Sequence, residues 1–208
     1  MLRTIRKTKY IAKLDEGSKS TEQIRMVRGR LDSIVRDQNS VLLVTSPSIV
    51  GETAEISFNL ALSYTEQGFS VLLVDASFRD PILHDWFEVS LNASYRNFLN
   101  GEKIGLYAGR TNISNLSFLS FGEYQSSHPL WSKDLEQSIE ELKKDYEYII
   151  ILAPPFQQSS DTQMISQYCD GVILVVKECK EKIQELKKTI RHLEHISAPL
   201  KGIIYQNK

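Results

Sequence analysis

The sequence predicts an α/β fold, three layers α/β/α around a mostly parallel sheet, from three observations. Short runs of branched apolar residues recur along the chain, the first at Val41-Leu42-Leu43-Val44. Segments with apolar residues at helical spacing lie between them. The two patterns alternate from about residue 20 to the end. A wholly apolar run too short for a helix is what a strand covered on both faces requires, and alternation of such strands with helices builds a parallel sheet.

Taken in order, Ile24, Val27, Leu31 and Ile34 predict an amphipathic helix over 20–37. The run at 40–46 is the first strand. A helix over 52–67 follows and is closed by Gly68, whose lack of a side chain suits a left-handed cap. Val71-Leu72-Leu73-Val74-Asp75 is the second strand. Residues 82–127 are less regular, with a short helix near 94–100 and a short strand near 115–119. Helices over 130–145, 161–169 and 180–196 then alternate with strands at 148–152, 172–176 and, more weakly, 202–205.

Composition narrows the function. Of 208 residues, 41% are hydrophobic and 25% charged, the proportions of a globular chain with room for one domain. With 25 basic and 26 acidic side chains the formal charge is −1, which argues against a general nucleic-acid binder. Cys169 and Cys179 are too few for a disulfide framework or a cysteine-rich zinc site. No apolar run approaches the ~20 residues that cross a bilayer, and Met1-Leu2-Arg3 leads into no signal-like core, so a cytoplasmic chain is expected. Arg3, Arg6, Lys7, Lys9 and Lys13 face no acid within residues 1–13, which makes that stretch +5 and, from a total of −1, the remainder −6. The boundaries read as a basic arm, 1–19, and one domain, 20–208. The arm either meets an anionic membrane surface or an acidic partner, or is a plain solvated terminus.

Ligands of such sheets bind where strands give way to helices at their carboxyl ends. After the first strand comes Thr45-Ser46-Pro47-Ser48-Ile49-Val50-Gly51-Glu52-Thr53-Ala54-Glu55, then Asn59-Leu60-Ala61 within the helix. This is the strand–loop–helix layout of a phosphate-binding loop. A working loop needs glycines that let backbone N–H groups converge, a lysine on the β/γ oxygens, and a hydroxyl on magnesium. Here there is one glycine, no lysine and no hydroxyl at the magnesium position, and Glu52 and Glu55 stand in the first helical turn.

These motifs resemble those of the bacterial tyrosine kinases of capsule and exopolysaccharide systems, relatives of the deviant-loop P-loop ATPases of the MinD and ParA type. The resemblance runs from about Glu22 to Asn207. Against the family pattern T-S-x-x-P-G-E-G-K-S-T-x-x-x-N-L-A, Thr45, Ser46, Asn59, Leu60 and Ala61 match. The cradling glycine is Glu52, the lysine Thr53, the magnesium-ligand serine Ala54 and the next threonine Glu55. The family's V-D-A-D-L-R-x-P appears as Val74-Asp75-Ala76-Ser77-Phe78-Arg79-Asp80-Pro81, and its I-I-I-D-T-P-P as Ile149-Ile150-Ile151-Leu152-Ala153-Pro154-Pro155. The metal-supporting aspartate is thus Leu152.

The resemblance therefore implies a vestigial nucleotide site at Ser46, Gly51, Glu52, Thr53, Ala54, Glu55, Asp75 and Arg79, with Asp75 and Leu152 at former catalytic positions and no metal site. One opposite-charge contact at ~4 Å is worth about 4 kcal/mol at an effective dielectric of ~20, before desolvation. Replacing the lysine and adding a carboxylate reverses that term, and ~1.4 kcal/mol is tenfold in affinity. ATP and magnesium are therefore expected not to bind tightly. Glu52 or Glu55 is expected either to fold onto the N–H groups of its own helix or to point into solvent.

Glu22, Arg25 and Arg28 keep the family's E-x-x-R-x-x-R, which in these kinases joins subunits into a ring. Spacing of three places them on one helical face, where they either pair with a neighbouring subunit or lie solvated. The family's C-terminal tyrosine cluster is missing, since only Tyr205 follows Tyr168. His192 and His195 read as an exposed pair, Asp161 as a helix cap, Cys169 as buried, and Trp86, Phe87, Phe98 and Trp131 as core. Asp170 follows the same helix as Asp161.

The leading reading is a pseudokinase, on balance not an enzyme, that works by contact. The resemblance implies docking to a transmembrane polysaccharide chain-length regulator at the inner face of the membrane, and homo- or hetero-oligomers, including rings with an active paralogue. Two alternatives stand: an active kinase in which another lysine, Lys103 or Lys133, replaces the lost one, and a nucleotide-binding switch without turnover.

Overall fold

In the computed structural model, residues 18–35, 39–48, 52–77, 81, 83–87, 108–120 and 135–207 are described. They run in the order α1 (Lys19–Ile34), β1 (Ser40–Thr45), α2 (Thr53–Thr65), β2 (Val71–Asp75), α3 (His84–Phe87), β3 (Gly109–Arg110) and β4 (Leu116–Ser120). There follow α4 (Leu135–Leu142), β5 (Tyr148–Leu152), α5 (Ser160–Ser166), β6 (Gly171–Lys177), α6 (Ile183–His195) and β7 (Leu200–Gln206).

The strands form one sheet in the order β3-β4-β2-β5-β1-β6-β7. Every pairing is parallel except β3 with β4. β1 lies between β5 and β6, with Val44 in register with Leu152 and with Ile173. Its alternate side chains serve two cores. Leu42 and Val44 join the cluster under α1 and α2, whereas Val41 and Leu43 join the one under α4, α5 and α6. A strand sandwiched in this way has no polar face, which is why its sequence is a continuous apolar run. Each such side chain contributes about 1.5–3 kcal/mol by leaving water.

The helix ends follow local chemistry. Ser18 caps α1 by accepting from the Thr21 N–H at 3.1 Å, and the helix stops at Ile34, short of the predicted residue 37. Beyond α2 Gly68 adopts φ 89° and its N–H reaches Thr65 O at 2.9 Å, as its position predicts. At α5 the expectation for Asp161 is corrected. Ser159 is the cap, accepting from the Thr162 N–H at 3.2 Å, and Asp161 lies inside the first turn.

Trp86 and Phe87 pack edge-on against Phe58, at 5.7 and 5.5 Å between ring centroids, in the α2 core. α3 and β3 are additions to the predicted elements. The predicted helix near 94–100, residues 1–13 of the basic arm, Phe98 and Trp131 lie outside the described residues. No helix among the described residues is long and apolar enough to cross a membrane.

Candidate functional site

The carboxyl ends of β5, β1, β6 and β7 come together beside the N-terminus of α2, and the loop that follows β1 is tied down there. Thr45 Oγ1 donates to Pro154 O at 2.6 Å. The carbonyls of Ser46 and Pro47 accept from the N–H groups of Phe156 and Gln157, at 2.8 and 3.0 Å. Ser48 Oγ donates to Glu181 at 2.5 Å, and its carbonyl accepts from the Gln158 amide. The first half of the loop is thus strapped to the β5–α5 turn and to the segment after β6. Gly51 lies outside the described residues.

Glu52 is the residue before α2, and its carboxylate does not cap the helix. Both expectations for it, an internal cap or a solvated side chain, are corrected. Its oxygens reach instead across two strand ends, where Lys177 Nζ donates to one and Gln206 Nε2 to the other, the latter at 2.8 Å. Parallel register explains the meeting, because Lys177 ends β6 directly opposite Gln206 on β7. The hydrogen bond from Lys177 holds the Glu52 carboxyl below its usual range, against the opposing effect of burial. Thr53 and Ala54, at the positions where the resembled pattern has a lysine and a serine, are buried in the first turn, and Glu55 beside them is partly buried.

At the end of β2, Asp75 is 1% exposed. One oxygen accepts from the Ser77 N–H and the other from the Leu83 N–H, both at 2.9 Å, so this carboxylate shapes the following loop. Arg79 lies outside the described residues. Leu152 pairs with Asp75 in register and its side chain belongs to the α2 core. An apolar group therefore stands at the position where the resemblance implies a metal-supporting carboxylate. Among the described residues no group of three His, Cys, Asp or Glu side chains is placed to hold a metal ion.

On α1, Arg25 donates to both oxygens of Glu66 at 3.1 and 3.2 Å and to Glu22 at 2.8 Å. Arg28 donates to Ser63 O at 2.5 Å. Within one chain these arginines thus hold α1 against the carbonyl end of α2, where the helix dipole favours cations.

His192 packs edge-on against Phe156 at 5.4 Å and is half-buried, so only His195 of that pair is exposed. Cys169 is buried, which pushes its thiol well above the ordinary value. Asp170 accepts from the Val41 N–H at 2.8 Å and pairs with Lys143 at 3.3 Å. Lys103 and Lys133 lie outside the described residues.

Sequence reasoning missed Lys177, Gln206 and Glu181. One signal was present: Lys177 is the charged end of an otherwise apolar strand.

A central strand running through a loop into a helix, with parallel neighbours on both sides, marks an open α/β sheet with its ligand end at the strand termini, and its likeness to solved structures gives it the P-loop nucleoside triphosphatase fold. Such a fold is shared with the cell division ATPase MinD of Pyrococcus furiosus, 18% identical with a TM-score of 0.64 over 79% of this chain and 69% of that one. The kinase domain of Escherichia coli tyrosine kinase ETK superposes with a TM-score of 0.85 at 20% identity, over 99% of this chain and 84% of that one. The chimerical protein CapA2B2 gives 0.83 at 25% identity, over 92% and 85%.

Tyrosine-protein kinase CpsD of Streptococcus agalactiae is 27% identical over 197 residues, 93% of this chain and 84% of that protein. Tyrosine-protein kinase ptk of Acinetobacter johnsonii is 25% identical over 187 residues, 88% of this chain. No family model matches the sequence. The chain is similar to these bacterial tyrosine kinases over most of its length, and it spans about a quarter of the length of the longer relatives it matches.

Proposed function

We propose that the chain is a kinase-like protein that transfers no phosphate and serves as a regulatory or scaffolding subunit in capsule or exopolysaccharide biosynthesis. The observation that carries this reading is the occupied mouth of α2. There a carboxylate stands in the loop position of a phosphate-cradling glycine, and Lys177, a lysine that reaches this mouth, is bound to it, with Lys180 close enough to act on the same carboxylate. Buried Thr53, Ala54 and Leu152 add support, because they offer neither cation nor metal ligand where phosphoryl transfer relies on charge neutralisation.

Function then rests on contact. The resemblance to kinases of these systems supports docking to a transmembrane chain-length regulator, with the protein peripheral at the inner face of the membrane, and assembly into homo-oligomers or mixed rings with an active paralogue. Calorimetry with Mg-ADP and Mg-ATP tests the core of the proposal. Wild type is expected to give no binding tighter than about 1 mM, which corresponds to ~4.1 kcal/mol. The variant Glu52→Gly, Thr53→Lys, Ala54→Ser, Leu152→Asp is expected to gain binding. Micromolar affinity in wild type would return the enzyme or the switch to first place. Lys177 is the observation that favours an enzyme reading, since it is a lysine beside the loop, but it would first have to leave Glu52.

A further inference from the structure

We propose that Glu52 is an internal anion seated on a cation–amide pair, Lys177 and Gln206, and that this autoinhibitory contact keeps the pair closed to a phosphate-type anion. The inference rests on the loop being one that takes no nucleotide, and it names the contact that keeps it so.

Lys177 and Gln206 stand opposite one another at the carboxyl ends of neighbouring parallel strands, so their side chains leave the sheet on the same face. An ammonium supplies only donors, and the amide turns its N–H toward the same point. Each takes one oxygen of the Glu52 carboxylate. The Lys177 side chain is 25% exposed and that of Glu52 43%, so the cation is the more desolvated partner. Freed of its carboxylate, the ammonium keeps its donors and is open to another anion.

The site also has an unmet need. Gln206 Oε1 is buried and has no donor among the described residues. A buried acceptor without a donor is costly, and a carboxylate has no proton to offer it. A protonated phosphate oxygen does, while its sister oxygens take the place of Glu52. The N-terminus of α2 lies beside the pair and adds its positive end to the attraction.

The test uses the full chain, with sodium pyrophosphate and ADP as probes, both without magnesium, read by calorimetry and by thermal unfolding. Glu52→Ala is expected to bind pyrophosphate about tenfold or more tighter than wild type, with a midpoint that climbs as the probe is added. Glu52→Ala/Lys177→Ala is expected to lose that gain. An equal gain for ADP assigns the pair to the diphosphate group itself, and a larger one assigns it to a nucleotide. Should Glu52→Ala fail to fold, Glu52→Gln removes the charge alone and is expected to show a smaller gain in the same direction.

A folded Glu52→Ala with no gain, or a wild type that already binds pyrophosphate as tightly, overturns the proposal. Tight Mg-ATP binding by wild type sinks the functional reading whatever pyrophosphate does. A missing gain in Glu52→Ala sinks only the contact.

Discussion

Glu52 titrates against Lys177, and the sign of that coupling gives a pH dependence. Its carboxyl is held below the ordinary value of 4.5, so the stability it adds is present above that value and is lost as pH falls through the lowered one. Glu52→Gln is therefore expected to be less stable than wild type at pH 7, by about 0.2–1 kcal/mol, as for other partly exposed pairs. The gap closes at the most acidic pH at which the fold survives. Urea unfolding of both proteins across that range reads it directly, and a gap independent of pH would remove the ionised pair. Asp75 shows how far residue identity alone informs a site. The aspartate was legible as a candidate acid, but its use as an acceptor for the Ser77 and Leu83 N–H groups depends on how the loop folds back.

Between elements, β1, β6 and β7 meet closely at Gly171. A Cβ on Gly171 would lie 2.7 Å from Lys201 Cγ and 3.0 Å from Leu42 Cδ2, whereas one on Gly202 meets nothing within 4 Å. Gly171→Ala is expected to lower stability by about 1–3 kcal/mol through overpacking, and Gly202→Ala not to lower it, both by chemical denaturation. Gly171 marks such a seam without announcing it in sequence. The strands β1, β2, β5 and β6 were legible because burial on both faces writes an apolar run. β3 has two residues, too few for any period, and α3 has four. The partners of Glu52 were hidden for another reason: Lys177 and Gln206 stand 125 and 154 residues away, and only the order of strands brings them near.

For the molecule as a whole, assembly turns on the face of α1 that carries Arg25. In one chain this arginine is held by Glu22 and Glu66, an exposed network that solvent screens and that adds little to stability. If the same arginine also joins subunits, Arg25→Ala is expected to run at a smaller mass in light scattering while its unfolding midpoint barely moves. An unchanged oligomer mass would remove the residue from the interface. The Glu52–Gln206 bond also has a kinetic meaning. It closes a loop of 154 residues, and the entropy of closing so long a loop leads us to expect that it forms only after the strands between have paired. Contacts absent from the transition state leave the folding rate alone and slow escape from the native state, so this bond is expected to work as a bolt on the way out, shut last and opened first: Gln206→Ala should unfold faster and refold at the wild-type rate in stopped-flow urea jumps.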